Sequence, residues 1–316
     1  MIESSEPLSG PNHVPVLMHE AVEGLTLDGR GKYVDATYGR GGHSGYLLNR
    51  LEEAGQLLAL DRDPEAIADA NVRFAADGRF SIRQANFANL QAVLQEHGWF
   101  GEVDGLLMDL GVSSPQLDVA ERGFGFSRDG ELDMRMDPGS GVSAAQWLST
   151  VGEEELVQVL RTYGEERYAK RIGAAIVAAR AEKPISRTLE LAEIVKAAHP
   201  RWERHHHPAT RSFQAIRIQV NRELDAVSEA LAAASQALRL GGRLAVISFH
   251  SLEDRIVKRA LRQPVPDPDI PRHLPQPARE RHPWRVIGKP VKASELEINT
   301  NPRSRSAVLR VAERVL

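Results

Sequence analysis

Along the first 110 residues, short apolar runs alternate with segments whose apolar residues recur at helical spacing. Runs at 32–35, 56–60, 80–84 and 103–110 read as strands, each closed by a glycine, an acidic or a polar residue. Between them, 45–51, 66–74 and 90–97 read as helices, and a helix-like 18–25 precedes the first strand. Strands that alternate with helices build a parallel sheet covered on both faces, so the pattern predicts an α/β fold.

The alternation stops near residue 122. Residues 123–141, rich in Gly, Asp, Met and Arg, show no period and read as a long surface loop. Residues 153–179 are helical by the spacing of Leu156, Val159, Leu160, Tyr163, Ile172 and Ile176, and Pro184 breaks the pattern. Thr188 is placed to cap a helix over 189–198. A single stripe from Phe213 through Ile216, Val220, Leu224, Val227 and Leu231 to Leu238 predicts one helix over 210–240, ended by Gly241 and Gly242. On that helix Arg211 and Arg222 share a face. Strand patterns return at 243–249 and 306–312, with a basic helix over 252–261 between them. Residues 263–290 hold eight of the chain's 18 prolines and read as a mobile loop. The expected organisation is a disordered start (1–12), an α/β domain in two parts (13–122 and 213–316), and an inserted helical domain (123–212).

Candidate chemistry gathers at the strand ends. Residues 39–44 read Gly-Arg-Gly-Gly-His-Ser between the first strand and the first sheet-packing helix. A ligand can approach glycine backbone there, and φ can turn positive. Asp61 ends the second strand about 20 residues on, where an acid grips ribose hydroxyls. A dinucleotide fingerprint would have its third glycine where Ser44 stands, and Asp35 would repel a pyrophosphate. A cationic cofactor fits better, and S-adenosylmethionine carries a sulfonium and an ammonium. Phe87 follows the third strand, placed to stack on an adenine. Asp109 and Gln116, at and beyond the fourth strand, should face the same crevice.

Composition narrows the class. The chain has 316 residues, 42% hydrophobic and 26% charged, as in an ordinary globular protein. The absence of cysteine excludes disulfides, thiolate catalysis and Cys-ligated zinc. The polar start is not a secretory signal, and no apolar run nears the roughly 20 residues of a membrane span, which gives a cytoplasmic reading. Net charge is −3, but from Arg243 onward fifteen Lys and Arg stand against eight Asp and Glu. A basic quarter on an acidic body suggests one surface facing a polyanion. His205, His206 and His207 are consecutive and cannot all face one ion from a regular element, so no metal site is expected.

Several segments together carry a resemblance: 13–17 (His-Val-Pro-Val-Leu), the 39–44 loop, 61–64 (Asp-Arg-Asp-Pro), 109–116 (Asp-Leu-Gly-Val-Ser-Ser-Pro-Gln), 133–138 (Asp-Met-Arg-Met-Asp-Pro), and 248–255 (Ser-Phe-His-Ser-Leu-Glu-Asp-Arg). They resemble the bacterial small-subunit ribosomal RNA methyltransferase H family, formerly MraW, over nearly the whole chain. The resemblance implies a seven-stranded S-adenosylmethionine-dependent methyltransferase sheet of Rossmann-like type, with a helical domain inserted after the fourth strand. It implies methylation of the exocyclic N4 of one cytidine in 16S rRNA of the small ribosomal subunit, near the P site. It also carries cofactor contacts onto Gly41, Gly42, His43, Asp61, Phe87, Asp109 and Gln116.

Many amino-group methyltransferases have Asn or Asp, two prolines and an aromatic after the fourth strand; here the residues are Asp109, Leu110, Gly111 and Val112. Asp109 is therefore the catalytic candidate by position, with His250 the runner-up. A base taken out of its stack needs an aromatic platform, for which Phe124, Phe126 and Phe249 are candidates. Arg135, Arg211, Arg222, Arg303 and Arg305 are the candidate RNA contacts. A homodimer is left open. Two other classes compete: a nicotinamide-dependent oxidoreductase on the same fold, and a non-catalytic RNA-binding assembly factor with a vestigial pocket.

Overall fold

The computed structural model describes residues 15–201, 207–265 and 281–316. The expected disordered start, His205, His206 and most of the proline-rich stretch lie outside the described residues. The strands are β1 (Lys32–Asp35), β2 (Gln56–Asp61), β3 (Phe80–Gln84), β4 (Val103–Asp109), β5 (Leu238–Ser248), β6 (Trp284–Lys292) and β7 (Val308–Arg314). The helices are α1 (Met18–Gly24), α2 (Gly42–Leu48), α3 (Pro64–Arg73), α4 (Leu90–His97), α5 (Ser114–Asp118), α6 (Ala144–Thr150), α7 (Glu153–Tyr163), α8 (Ala169–Glu182), α9 (Thr188–Ala198), α10 (Thr210–Asn221), α11 (Glu223–Ala237), α12 (Ser251–Ala260) and α13 (Glu295–Thr300).

The seven strands form one sheet in the order β3-β2-β1-β4-β5-β7-β6. Neighbours from β3 to β5 are parallel, and β7 lies antiparallel between β5 and β6. This is the α/β Rossmann-like fold expected from the sequence, with seven strands. The order reverses beside β1, which makes the carboxyl rim of β1, β2 and β4 the place for a ligand. Register sets the details: Asp35 pairs with Ala59 on one side and Leu107 on the other. Asp61 and Asp109 therefore stand two residues beyond Asp35, flanking it on either side.

Strands buried on both faces read as continuous apolar runs, and β2 and β4 do. On one face Val34, Leu58, Leu60 and Leu106 pack under α4 and α11, through Leu94, Val227 and Leu231. On the other, Tyr33, Leu57, Leu107 and Ile247 pack against Leu17, Ala21 and Leu47. A second, separate core joins Leu132, Met134, Leu148, Leu160, Ile172, Ile176, Leu191, Phe213 and Ile216. Helices α6 to α10 build it, with Leu132 and Met134 of the irregular segment 132–136 threaded in.

The structure corrects several elements. The stripe over 210–240 is two helices, because Arg222 takes a left-handed conformation (φ 50°) and turns the chain between the two cores. The second helix ends at Ala237, and β5 begins at Leu238 rather than 243, so Gly241 and Gly242 lie inside a strand. Gly242 fits there because a Cβ would meet the carbonyl oxygens of Arg239 and Val103 at 2.9 Å. The helix over 153–179 breaks after Tyr163, where Glu165 has φ 48°. Thr188 is not a cap: its hydroxyl accepts from the Gly130 amide, tying the 123–141 segment to α9. That segment is no surface loop, since Phe124, Leu132, Met134 and Met136 are buried in it. Finally, β6 occupies residues 284–292 and so takes up the end of the stretch read as a mobile loop; Trp284 anchors it in the core.

Candidate active site

The glycine turn is built as its sequence demands. Gly39 and Gly41 have φ of 57° and 65°. A Cβ on Gly41 would lie 2.6 Å from the Tyr38 hydroxyl, and one on Gly42 would lie 2.1 Å from the Pro15 ring. A Cβ on Gly39 would meet nothing nearer than 4.0 Å. Two of these glycines are thus required by packing, while nothing crowds the half-buried third. The Gly39 amide donates to Asp61 Oδ2 (2.7 Å), and the Asp63 amide to Asp61 Oδ1 (2.9 Å). Burial nevertheless dominates, and the Asp61 carboxyl is pushed up to about 6.

Asp35 is fully buried between Ser44, whose hydroxyl donates to Oδ2 (2.7 Å), and the Thr37 amide (3.1 Å). Desolvation raises its pKa, and His43 opposes that rise. Asp109 is held by its backbone, whose amide donates to Thr37 Oγ1 (2.6 Å). Its Oδ2 is 3.7 Å from His43 Nδ1, and its Oδ1 is buried without a hydrogen-bond partner. Desolvation first, then the Asp35 and Glu253 charges, push the Asp109 carboxyl well above the ordinary range. His43 Nε2 lies 3.1 Å from the Val16 carbonyl, an acceptor only, so that nitrogen carries a proton and Nδ1 is the one turned to Asp109.

Gln116 is buried, and its polar atoms serve the protein. Oε1 accepts from the Ser113 amide (3.0 Å), and Nε2 donates to Asp63 Oδ2 (2.9 Å). Phe87 begins a short 3-10 turn after β3, half-buried against the core under α11. His250 is the N-cap of α12: its Nδ1 accepts from the Glu253 amide (3.4 Å), and its Nε2 is 3.2 Å from Glu253 Oε1. Burial would raise the Glu253 carboxyl, but His250, the Phe249 amide and Arg217 hold it below the usual range.

Among the described residues one trio has metal-ligand spacing: Glu223, His250 and Glu253, with ligand atoms within 4.8 Å of one another. Both Glu223 oxygens, however, accept from Arg217 at 2.8 Å, and Glu253 Oε2 accepts from the Phe249 and His250 amides. A guanidinium therefore already occupies both oxygens of one of the two carboxylates.

A family model described as the MraW methylase family matches residues 10–315. The chain belongs to the MraW methylase family. It is 55% identical over 307 residues to the ribosomal RNA small subunit methyltransferase H of Thioalkalivibrio sulfidiphilus, covering 96% of this chain and 98% of that one. Two relatives of the same name, from Coxiella burnetii and Hydrogenovibrio crunogenus, are each 52% identical, covering 96% of this chain and 99% and 97% of theirs. Among solved structures, a putative rRNA methylase from Clostridium thermocellum aligns at 13% identity with a TM-score of 0.45, over 96% of this chain and 100% of that one.

Gly39 to His43, Asp61 and Asp109 converge at the rim beside β1. Of the arginines named from sequence, Arg135 forms a two-bond pair with Asp133 (2.9 and 2.7 Å), and Arg222 pairs with Asp225 at 3.2 Å. Arg303 reaches Asp118 at 2.6 Å, which brings the turn before β7 against α5. Arg211 and Arg305 are exposed. Arg211 lies in the first turn of α10 and Arg222 caps its end in left-handed backbone, so the unbroken helix on which their shared face was expected is absent. Phe126 packs on Phe213 and His207 inside the helical core, and Phe124 is buried beside Arg122. Phe249 lies near the rim, 3.7 Å from where a Gly111 Cβ would stand.

Sequence reasoning missed Thr37, Asp63, Arg122 and Asn221. The signal for Asp63 was present, since Asp followed by Pro64 is a helix start, and Asp63 does cap α3 by accepting from the Glu65 amide (3.0 Å). Nothing local marks Arg122 or Asn221.

Proposed function

We propose that this protein transfers the methyl group of S-adenosylmethionine to the exocyclic N4 of a cytidine in 16S rRNA, acting in the cytoplasm on the small ribosomal subunit. The observation that carries the reading is the trio of acids, Asp35, Asp61 and Asp109, around the glycine turn. The donor fits these residues. Its sulfonium and ammonium suit a rim of carboxylates that would repel a pyrophosphate. Its ribose hydroxyls suit Asp61, whose oxygens retain lone pairs beyond the two amides they accept. Gly41, Gly42 and His43 form the turn, Phe87 offers a ring for the adenine, and Gln116 keeps the Asp63 loop in place. When bound, the donor supplies an electrophilic methyl.

Cytosine N4 is a weak nucleophile, because its lone pair is delocalised into the ring. A carboxylate that accepts a hydrogen bond from the amine favours the tetrahedral nitrogen of the transition state. The methylated amine must then lose a proton, and an acid with a raised pKa accepts one readily. Asp109 suits both needs, because its side chain is a quarter exposed at the rim and its pKa is raised. His250, occupied in capping α12, is better suited to holding Glu253 and the end of β5 in position. RNA backbone contacts fall to Arg135, Arg211, Arg222, Arg303 and Arg305, with Phe249 the aromatic nearest the rim.

The test is incorporation of a labelled methyl group into rRNA from cells lacking the protein, followed by mass mapping of the modified nucleotide. Label on a single small-subunit cytidine N4 is the expected result. Label elsewhere changes the substrate, and none at all leaves the assembly-factor reading. A thermal shift with S-adenosylhomocysteine but not with NADH separates the oxidoreductase alternative.

A further inference from the structure

The chain passes between its two cores twice, and a buried polar chain ties both crossings to the cofactor rim. Asp63, two residues from Asp61, accepts at Oδ2 from both Gln116 Nε2 (2.9 Å) and Arg122 Nη1 (2.8 Å). The other arm of Arg122 donates to the carbonyls of Arg135 (3.2 Å) and Met136 (2.9 Å). Met136 in turn donates its amide to Asn221 Oδ1 (2.8 Å), and Asn221 Nδ2 donates to the Met134 carbonyl (2.7 Å). The loop closes on itself, because Arg62 Nη1 donates to the Asn221 carbonyl (3.1 Å). Asp63 and Arg122 side chains are only 6% and 8% exposed, so water competes little for the pair.

At each crossing sits a non-glycine residue in left-handed backbone: Met134 (φ 62°) on the way in and Arg222 (φ 50°) on the way out. Such conformations persist only where the surroundings over-determine them. Met134 is fully buried in the helical core, so what holds its backbone also holds that core.

Resting on the methyltransferase reading above, we infer that Arg122 and Asn221 are positioning residues that couple donor binding at the Asp61 loop to the placement of the helical insert. A donor that fixes the 61–63 loop also fixes Asp63. Through the Arg122 fork that sets the 134–136 segment and Asn221, on which the insert hangs. Donor and RNA then bind with mutual advantage, since coupling between two sites is reciprocal.

The experiment measures co-sedimentation of the full chain with small ribosomal subunits, with and without saturating S-adenosylhomocysteine. The wild type should bind subunits at least about fivefold more tightly with the ligand, a typical coupling. Arg122→Lys keeps a charge beside Asp63 but loses the two-armed fork. It should bind S-adenosylhomocysteine within threefold of wild type, while the coupling falls below twofold. Coupling unchanged in that variant, or absent from a wild type that binds both ligands, overturns the inference and leaves the proposed function standing. A wild type that binds no S-adenosylhomocysteine removes both. Should the variant not fold, hydrogen exchange on the wild type decides. S-adenosylhomocysteine should slow exchange of the Met136 amide severalfold, and an unchanged rate overturns the inference.

Discussion

Asp61 and Asp109 are both acids at the ends of parallel strands, yet their surroundings give them different tasks. Asp61 receives two backbone amides, whereas Asp109 keeps one buried oxygen with no partner. Burial lifts both above the ordinary carboxylate value. For Asp61 the sign is definite. Its folded pKa, about 6, exceeds that of an ordinary unfolded-chain aspartate, so its contribution to stability is present at low pH and lost as pH rises through about 6. Ligand hydroxyls need the ionised form, so S-adenosylhomocysteine affinity should fall as pH drops below about 6. Calorimetric titration from pH 5 to 8 would detect this, and Asp61→Asn should flatten the profile while weakening binding throughout. Asp109→Asn should lower methyl transfer by two orders of magnitude or more, the scale set by losing one positioned electrostatic group. Its thermal midpoint at neutral pH should hold or rise, since a buried acid is removed. Near-normal turnover with cofactor binding retained would end the case for Asp109.

The glycine turn and α2 act as one element, whose shape depends on contacts outside it. Gly41→Ala puts a residue in left-handed backbone, at a cost of about 1–2 kcal/mol, and drives its Cβ toward the Tyr38 ring. The expected outcome is a thermal midpoint lower by a few degrees and a weaker grip on S-adenosylhomocysteine, both readable from one melting series. Gly39 has the same sign of φ but open space around it, so Gly39→Ala should cost the fold less than its ligand affinity. The strand runs and the glycine turn were legible because their signals are local: period, bounding residues and turn chemistry. The 132–136 segment was less so: buried Leu132, Met134 and Met136 alternate with Asp133 and Arg135, yet Met134 is in left-handed backbone, which that alternation does not signal.

Across the whole molecule, charge and layout belong together. Register puts Lys292, Val308 and Ser248 side by side, so Lys292, from the basic carboxy-terminal quarter, stands at the same end of the sheet as Asp109. Among the described residues no helix is long and apolar enough to cross a membrane. If phosphate contacts hold the RNA, the logarithm of affinity should fall linearly with that of salt concentration, by about 0.7 per contact on single strands. Arg305→Gln should reduce that slope by roughly one contact and leave S-adenosylhomocysteine affinity within about twofold. A slope near zero in the wild type would remove the arginine contacts from the reading.

The order of elements through β4, the rim at the ends of β1, β2 and β4, and the acids on it were legible in the sequence alone, because each rests on neighbours close along the chain. The long apolar stripe over 210–240 shows where that reach ends. Helical periodicity continues through Arg222, but the two halves serve different cores, and only their packing forces the left-handed break. In the same way, Arg122 meets Asp63 across 59 residues and Asn221 meets Met136 across 85. Such pairs carry no local spacing to read. Desolvation decided their worth, and with it the raised carboxyls at the rim, since burial exists only once the chain has closed on itself.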